Sequence, residues 1–418
     1  MGLTNVELTN WAGNVRFRAS RIATPRTVDD VRDILRGPGP VRALGTGHSF
    51  SLIADTDGTI VSTAGLDAAS AIDPDARTVT VGAGVRYGHL ARELEAAGWA
   101  LANLASLPHI SIGGAIATGT HGSGDAVGTL SSAVAALELV TATGDILTLR
   151  RGDAQFDAAV VSLGALGIVT SVTLDIEPSF EVRQRLYERL PLETALAHFD
   201  ALTGAAYSVS LFLRWTDPDV IDQVWTKSRD GRAPAIPGEP APAAEPLHML
   251  AGASPDACTP QLGQPGRWLD RLPHFRLSHT PSSGAELQSE HLVPRRHAVA
   301  AIRAVRELAD DIAPLIQVTE IRSMRADRLW LSPAYDTDAV GLHFTWLPDQ
   351  PAVEAVVAKI EAALAPFAAR PHWGKLSTMD AAGRAAVWPR LADFAALARE
   401  LDPAGRMRNP YLSFLDEL

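Results

Sequence analysis

Four short segments of this chain carry side chains that could do chemistry. The first, Leu44-Gly45-Thr46-Gly47-His48-Ser49-Phe50, directly follows a β-rich run. Closely spaced glycines let a backbone turn sharply and aim several N–H groups at one anion, which suits a pyrophosphate; an ordinary tight turn is the competing reading. The second, Ser111-Ile112-Gly113-Gly114-Ala115-Ile116-Ala117-Thr118-Gly119-Thr120-His121-Gly122-Ser123-Gly124, interleaves glycine with small and hydroxyl residues. That mixture makes a poor core element but a good surface for close approach of a flat or phosphorylated ligand. In the third, Val318-Thr319-Glu320-Ile321-Arg322 and Leu342-His343-Phe344-Thr345-Trp346 alternate polar with apolar side chains. On strands, Glu320 shares a face with Arg322, and His343 with Thr345. A salt-bridged surface strand is one explanation of such a wall. A pocket for a hydroxyl-rich ligand is the other, with Glu320 accepting and Arg322 donating hydrogen bonds. The fourth is Arg370-Pro371-His372-Trp373-Gly374-Lys375, whose lysine is one of only three in the chain, with Lys227 and Lys359. A partly desolvated ammonium can stabilise an alkoxide as a hydroxyl proton leaves.

The elements that must position these segments follow from periodicity. Thr27 starts an amphipathic helix with apolar positions Val28, Val31, Ile34 and Leu35. Residues 41–44, 59–63 and 78–81 read as short strands and 87–97 as a helix; 137–149 reads as a hairpin turning at Thr143-Gly144-Asp145, and 168–176 as a further strand. Beyond Pro178 the elements lengthen, with strands at 208–215, 315–322 and 340–346 and helices at 295–308 and 352–364. Residues 229–266, rich in Pro, Ala and Gly without an apolar period, read as a long surface excursion, a lid or wrap.

Composition removes several classes. A chain of 418 residues is expected to form two domains, each with its own core. Cys258 is the only cysteine, so redox chemistry needs an organic cofactor and neither an internal disulfide nor a cysteine-held metal. The twelve histidines show no HExxH or similarly spaced cluster, so no metal site is expected. A net charge of -11 without a basic tract argues against nucleic acid, and no apolar run is long enough to span a bilayer. The start Met1-Gly2-Leu3-Thr4-Asn5-Val6-Glu7 lacks the features of a secretory signal, so a soluble cytoplasmic protein is expected. Neither glycine segment matches GxxxxGK[ST], and Gly82-Ala83-Gly84-Val85-Arg86-Tyr87-Gly88 has one residue too many for the dinucleotide fingerprint of nicotinamide enzymes.

The pairing of Gly45-Thr46-Gly47-His48-Ser49 with Ala117-Thr118-Gly119-Thr120-His121-Gly122 resembles the FAD domain of the vanillyl-alcohol-oxidase superfamily, in particular its sugar-lactone and alditol oxidase branch. The similarity extends along nearly the whole chain, and the His-Trp-Gly-Lys run occurs in that branch too. The resemblance implies an α+β, two-domain flavoprotein. A PCMH-type FAD-binding domain would occupy residues 1–178 and a substrate-binding cap domain, an antiparallel sheet with flanking helices, residues 179–370; residues 371–418 would return to the FAD domain. It implies that His48 bonds through its imidazole to the flavin 8α carbon. It carries over Ala43, Leu44, Gly45, Thr46, Gly47, Ser49, Ala105, Ser106, Ser111, Gly114, Thr118, Gly119, Thr120, His121, Val169 and His372 as further FAD contacts, and Ser106, Gln288, Glu320, Arg322, His343, Thr345 and Lys375 as the lining of the substrate site. The sequence departs from the family at Met407, where relatives often place Phe; the adaptable methionine puts only local packing in question.

The activity so implied is oxidation of a terminal hydroxyl of a small polyol of the xylitol or sorbitol type to the aldose, with hydride passing to flavin N5 and O2 reduced to H2O2; a monomer is expected. Lys375, Arg322, His343 and Glu320 are the expected catalytic group. His343 is the candidate proton acceptor because a histidine can titrate near neutral pH and an arginine cannot. The rival within the class is an aldono-1,4-lactone oxidase or dehydrogenase; outside it stands a sugar-binding module without catalysis, which would be colourless.

Overall fold

The computed structural model of the protein describes residues 8–66, 70–279 and 284–417. The N-terminal stretch from Met1 to Glu7 lies outside them. Thr27 caps the first helix, Val28–Arg36, by a reciprocal capping box with Asp30, and the helix buries Val31 and Leu35. The strands Val41–Leu44 and Thr59–Ser62 run parallel, and the chain leaves the first of them directly into the Gly45–Phe50 loop. A second, five-stranded antiparallel sheet runs in the order Ala71–Asp73, Thr78–Gly82, Ile168–Asp175, Val134–Val140, Ile146–Arg150. Its hairpin turns through Gly144, whose φ of +85° is the left-handed region that glycine enters without a Cβ clash.

The second half of the chain builds a nine-stranded antiparallel sheet, centred on Ser208–Leu213, Ile316–Met324, Ala339–Trp346 and Leu287–Pro294 in that spatial order. Both faces are buried, for different reasons. Leu211, Ile321, Leu342, Phe344 and Trp346 point to one face and pack under the helices Ala298–Arg306 and Gln350–Leu364 through Ile302, Val305, Val353 and Ile360. The polar alternates form the opposite face. Register places Phe212 beside Glu320, Glu320 beside His343, and His343 beside Glu290. A salt-bridged surface strand is thereby excluded: Glu320 and Arg322 are 4% and 6% exposed.

The excursion over 229–266 is a wrap. Its short strands Ala241–Pro242 and Pro265–Arg267 pair with Glu181–Pro191, and Met249 and Cys258 are buried against Leu186, Phe212, Trp225 and Val318. The C-terminal segment leaves the large sheet after Arg370–Pro371, which pairs with Leu287–Pro294. Trp373, Trp388, Phe394, Leu412 and Phe414 then join the same hydrophobic cluster as Val79, Leu137 and Val172 of the five-stranded sheet. Met407 is wholly buried with Val31, Leu35 and Val41, so the thioether fills the place where the resemblance calls for Phe. Among the described residues no helix is long and apolar enough to cross a membrane.

Candidate active site

One large open cleft is lined both by the glycine segments and by the polar face of the large sheet. On the glycine side the cradle is shaped by the absence of side chains. A Cβ at Gly45 would come within 2.3 Å of Ser111 Oγ, and one at Gly114 within 3.0 Å. That hydroxyl is buried with no hydrogen-bond partner among the described residues. An orphaned donor beside bare backbone fits a phosphate oxygen, so the residues present suit FAD. Gly47, at φ +69°, turns the chain so that His48 stands in the cleft wall. The imidazole stacks on Trp11, with ring centroids 5.4 Å apart, and its Nδ1 lies 3.0 Å from Thr46 Oγ1. Burial first, and then the nearby His109, push the His48 pKa down to about 4, so the ring is neutral at neutral pH.

On the sheet side a buried carboxylate, Glu290, joins the polar groups. Its Oε2 lies 2.6 Å from Lys375 Nζ and its Oε1 accepts from Arg322 Nη2 at 2.9 Å. His121 Nε2 stands 3.1 Å from the same Oε1, close enough for attraction but out of line for a hydrogen bond. Burial would raise the Glu290 pKa, yet Lys375, His121 and Arg322 together hold it well below the ordinary carboxylate range. Lys375 also donates to His343 Nδ1 at 2.7 Å, and His343 Nε2 lies 3.1 Å from Thr345 Oγ1. Burial and then the Lys375 ammonium keep the His343 pKa well below its usual value, which leaves the imidazole neutral. Lys375 is lowered too, by burial, against the pull of Glu290. Glu320 is depressed despite burial, chiefly by Arg322 and His274.

The backbone explains how Lys375 reaches this cluster. His372 N–H donates to Glu290 O at 2.9 Å and Leu376 N–H to Gln288 O at 2.9 Å, so the His-Trp-Gly-Lys run is laced to the Leu287–Pro294 strand. On its other side Phe50 N–H donates to Gly374 O at 2.7 Å, which ties the run to the His48 loop. Trp373 anchors it in the core, stacked on Trp388 at 4.2 Å. The lysine thus stands where the flavin cradle meets the polar wall.

Of the residues singled out from the sequence, Ala43, Leu44, Gly45, Thr46, Gly47, His48, Ser49, Ala105, Ser106, Ser111, Gly114, Thr118, Thr120, His121, Val169 and His372 line the cleft, together with Gln288, Glu320, Arg322, His343, Thr345 and Lys375. Gly119, between Thr118 and Thr120, is not among the residues that line the cleft; it turns the chain at φ +69°, with Pro333 Cδ 2.6 Å from where its Cβ would be. Sequence reasoning missed Glu290, and the signal was present: Glu290 lies two residues along the strand from Gln288 and so shares its face. His274, which lies in the loop after the excursion and reaches Glu320 Oε1 at 2.8 Å, gave no comparable sign.

Residues 19–150 match the family model described as FAD binding domain, and residues 285–415 match that of D-arabinono-1,4-lactone oxidase. The chain belongs to the sugar-lactone and alditol oxidase branch of the FAD-dependent flavoproteins. It is 49% identical, over 97% of its length and 98% of the relative's, to an alditol oxidase of a Streptomyces species. It is 29% identical to an L-gulono-1,4-lactone dehydrogenase of Mycobacterium tuberculosis, over 96% of this chain and 97% of that one. Among solved structures, cholesterol oxidase from B. sterolicum has the same fold, with a TM-score of 0.78 at 16% identity, covering 98% of this chain and 96% of the other.

Proposed function

We propose that the protein oxidises a terminal hydroxyl of an alditol of the xylitol or sorbitol type to the aldose, using FAD tethered through His48. The observation that carries this reading is the convergence of Glu320, Arg322, Gln288, Thr345, His343 and Lys375 on one buried face that opens into the flavin cradle. Glu320, ionised, accepts from substrate hydroxyls, and Arg322 donates to them. Ser106, whose Oγ lies 3.5 Å from Arg322 Nη1, borders the same space from the flavin side. Lys375 places its N–H beside the reacting hydroxyl oxygen and stabilises the negative charge that develops there. His343 takes the hydroxyl proton at Nδ1 once the substrate oxygen accepts the Lys375 N–H in its stead. FAD, held by these residues, would supply the hydride acceptor, with O2 as the final oxidant and H2O2 as its product. A neutral His48 imidazole is competent to bond to the flavin 8α carbon, and such a tether prevents cofactor loss.

The reading includes a division near residues 178 and 370 into FAD-binding, substrate-binding and C-terminal parts, and a cytoplasmic monomer that acts on a small molecule and O2. It involves neither nucleic acid nor membrane. A second reading, an aldono-1,4-lactone oxidase or dehydrogenase, draws on the match of residues 285–415 and on the Mycobacterium tuberculosis relative.

Oxygen uptake and H2O2 formation measured with xylitol, sorbitol and L-gulono-1,4-lactone separate the two. Xylitol and sorbitol are expected to be turned over and the lactone at most slowly; turnover of the lactone alone overturns the proposal. For the tether, the wild-type protein precipitated with acid is expected to carry flavin fluorescence in the pellet, and His48→Ala to lose it to the supernatant. A colourless wild-type pellet from a yellow solution removes the covalent link.

A further inference from the structure

Next to Glu320 stand two titratable groups that the proposed reaction does not use, Lys227 and His274, of which His274 also borders the cleft. Lys227, on the Val220–Ser228 strand, is 2% exposed and is not part of the cleft lining. Its Nζ donates to Leu272 O and to His274 Nδ1, the latter at 3.1 Å. His274 is 5% exposed, and its Nε2 reaches Glu320 Oε1 at 2.8 Å. The second carboxylate oxygen of Glu320 lies 3.5 Å from Arg322 Nε. Burial lowers the Lys227 pKa to about 7; in its protonated form the amine can only donate, so His274 Nδ1 accepts, and the ring proton sits on Nε2, where it is donated to the ionised Glu320, which can only accept. Phe212 and Trp225 box the imidazole edge-on, at 5.6 and 5.3 Å between centroids, and hold it in that line.

We propose that Lys227 is a positioning residue for substrate binding: by occupying His274 Nδ1 it keeps the ring neutral with its one proton on Nε2, which saturates one oxygen of Glu320 and leaves the carboxylate charged to receive substrate hydroxyls. The proposal rests on the assignment of Glu320 to polyol recognition. The carboxylate, which can only accept, itself favours a proton on Nε2; Lys227 governs whether Nδ1 takes a second one. Without Lys227 the ring is free to become an imidazolium, which offsets the charge that receives the hydroxyls. That change weakens binding of the polyol more than the later transfer of hydride. A glutamine at position 274 cannot undergo it, because its amide N–H donates to Glu320 and takes up no proton.

The test is a comparison of wild type, Lys227→Met, His274→Gln and the double variant, as flavin-loaded holoenzymes. In anaerobic stopped-flow with xylitol, Lys227→Met should raise the half-saturating concentration about tenfold, the lower end for a hydrogen bond to a charged group, while the limiting rate of flavin reduction changes less than about threefold. The double variant should recover most of the lost affinity. Histidine labelled with 15N, with the His274 signals identified by their loss in His274→Gln, should show an Nε2-protonated ring in wild type that is altered in Lys227→Met. Unchanged affinity in Lys227→Met, no rescue by the double variant, or an Nδ1-protonated His274 in wild type each overturns the proposal. If wild type itself is not reduced by any polyol, it is the assignment of function that fails, and the nitrogen shifts still decide whether Lys227 sets the protonation of His274.

Discussion

Replacing Lys375 by Met should lower the limiting rate of flavin reduction by on the order of a hundredfold to ten-thousandfold, the range for loss of a positioned acid–base or charge-stabilising group, and leave the flavin content of the purified protein unchanged. The expectation follows from where the ammonium is held. It is 13% exposed as a side chain, pinned by Glu290 at 2.6 Å and directed at His343 at 2.7 Å. Methionine keeps the volume and the apolar stem and removes the charge and all donors. The flavin cradle is built by other residues, from the Gly45–Phe50 loop and the segment around Ser111. Rapid-reaction measurement of reduction beside the flavin-to-protein absorbance ratio separates the two effects. An equal fall in both gives Lys375 a structural role and removes its assigned one.

The second large effect belongs to Glu290, and it falls on stability. Glu290→Gln leaves Arg322 and Lys375 facing a neutral amide in a wall where the glutamate is 1% exposed. Breaking a buried ion pair from one side costs about 3–5 kcal/mol, and here one carboxylate serves both the Arg322 guanidinium and the Lys375 amine. Denaturant unfolding of the two holoproteins should show the difference as a lower midpoint at similar slope. The pH dependence has a definite sign. The folded-state pKa of Glu290 is depressed below its ordinary 4.5, so its contribution is fully present above about that pH. It is lost progressively as pH falls below that value toward the folded pKa. The gap between wild type and Glu290→Gln should therefore be constant at neutral pH and shrink in acid. A gap that widens on acidification contradicts the assigned charge state.

These two residues also mark how far the sequence could be read. Lys375 was visible because lysine is rare in an arginine-rich chain and because its neighbours are aromatic and compact. Glu320, Arg322, His343 and Thr345 were visible through strand alternation, which places them on one face without reference to any other strand. The helix start at Thr27 and the hairpin at Gly144 were local signals and were recovered to within a few residues. Glu290 could have been placed on the face of Gln288 by the same alternation, but its part as an anchor comes from pairing: register sets the Leu287–Pro294 strand beside Ala339–Trp346, and Lys375 arrives from a segment 85 residues further along the chain. The excursion over 229–266 was legible as irregular, but not its contact with the site. Only the packing of Met249 against Phe212 and Val318 shows that it covers the apolar end of the polar wall.

The reading as a whole depends on a polyol reaching bound flavin in a productive pose. Anaerobic addition of xylitol to the purified yellow protein, followed by absorption of the flavin band, tests that step without oxygen or any later reaction. The account predicts that xylitol bleaches the band fully, and that readmission of air restores it. A band left intact by xylitol and sorbitol alike but bleached by L-gulono-1,4-lactone would contradict it.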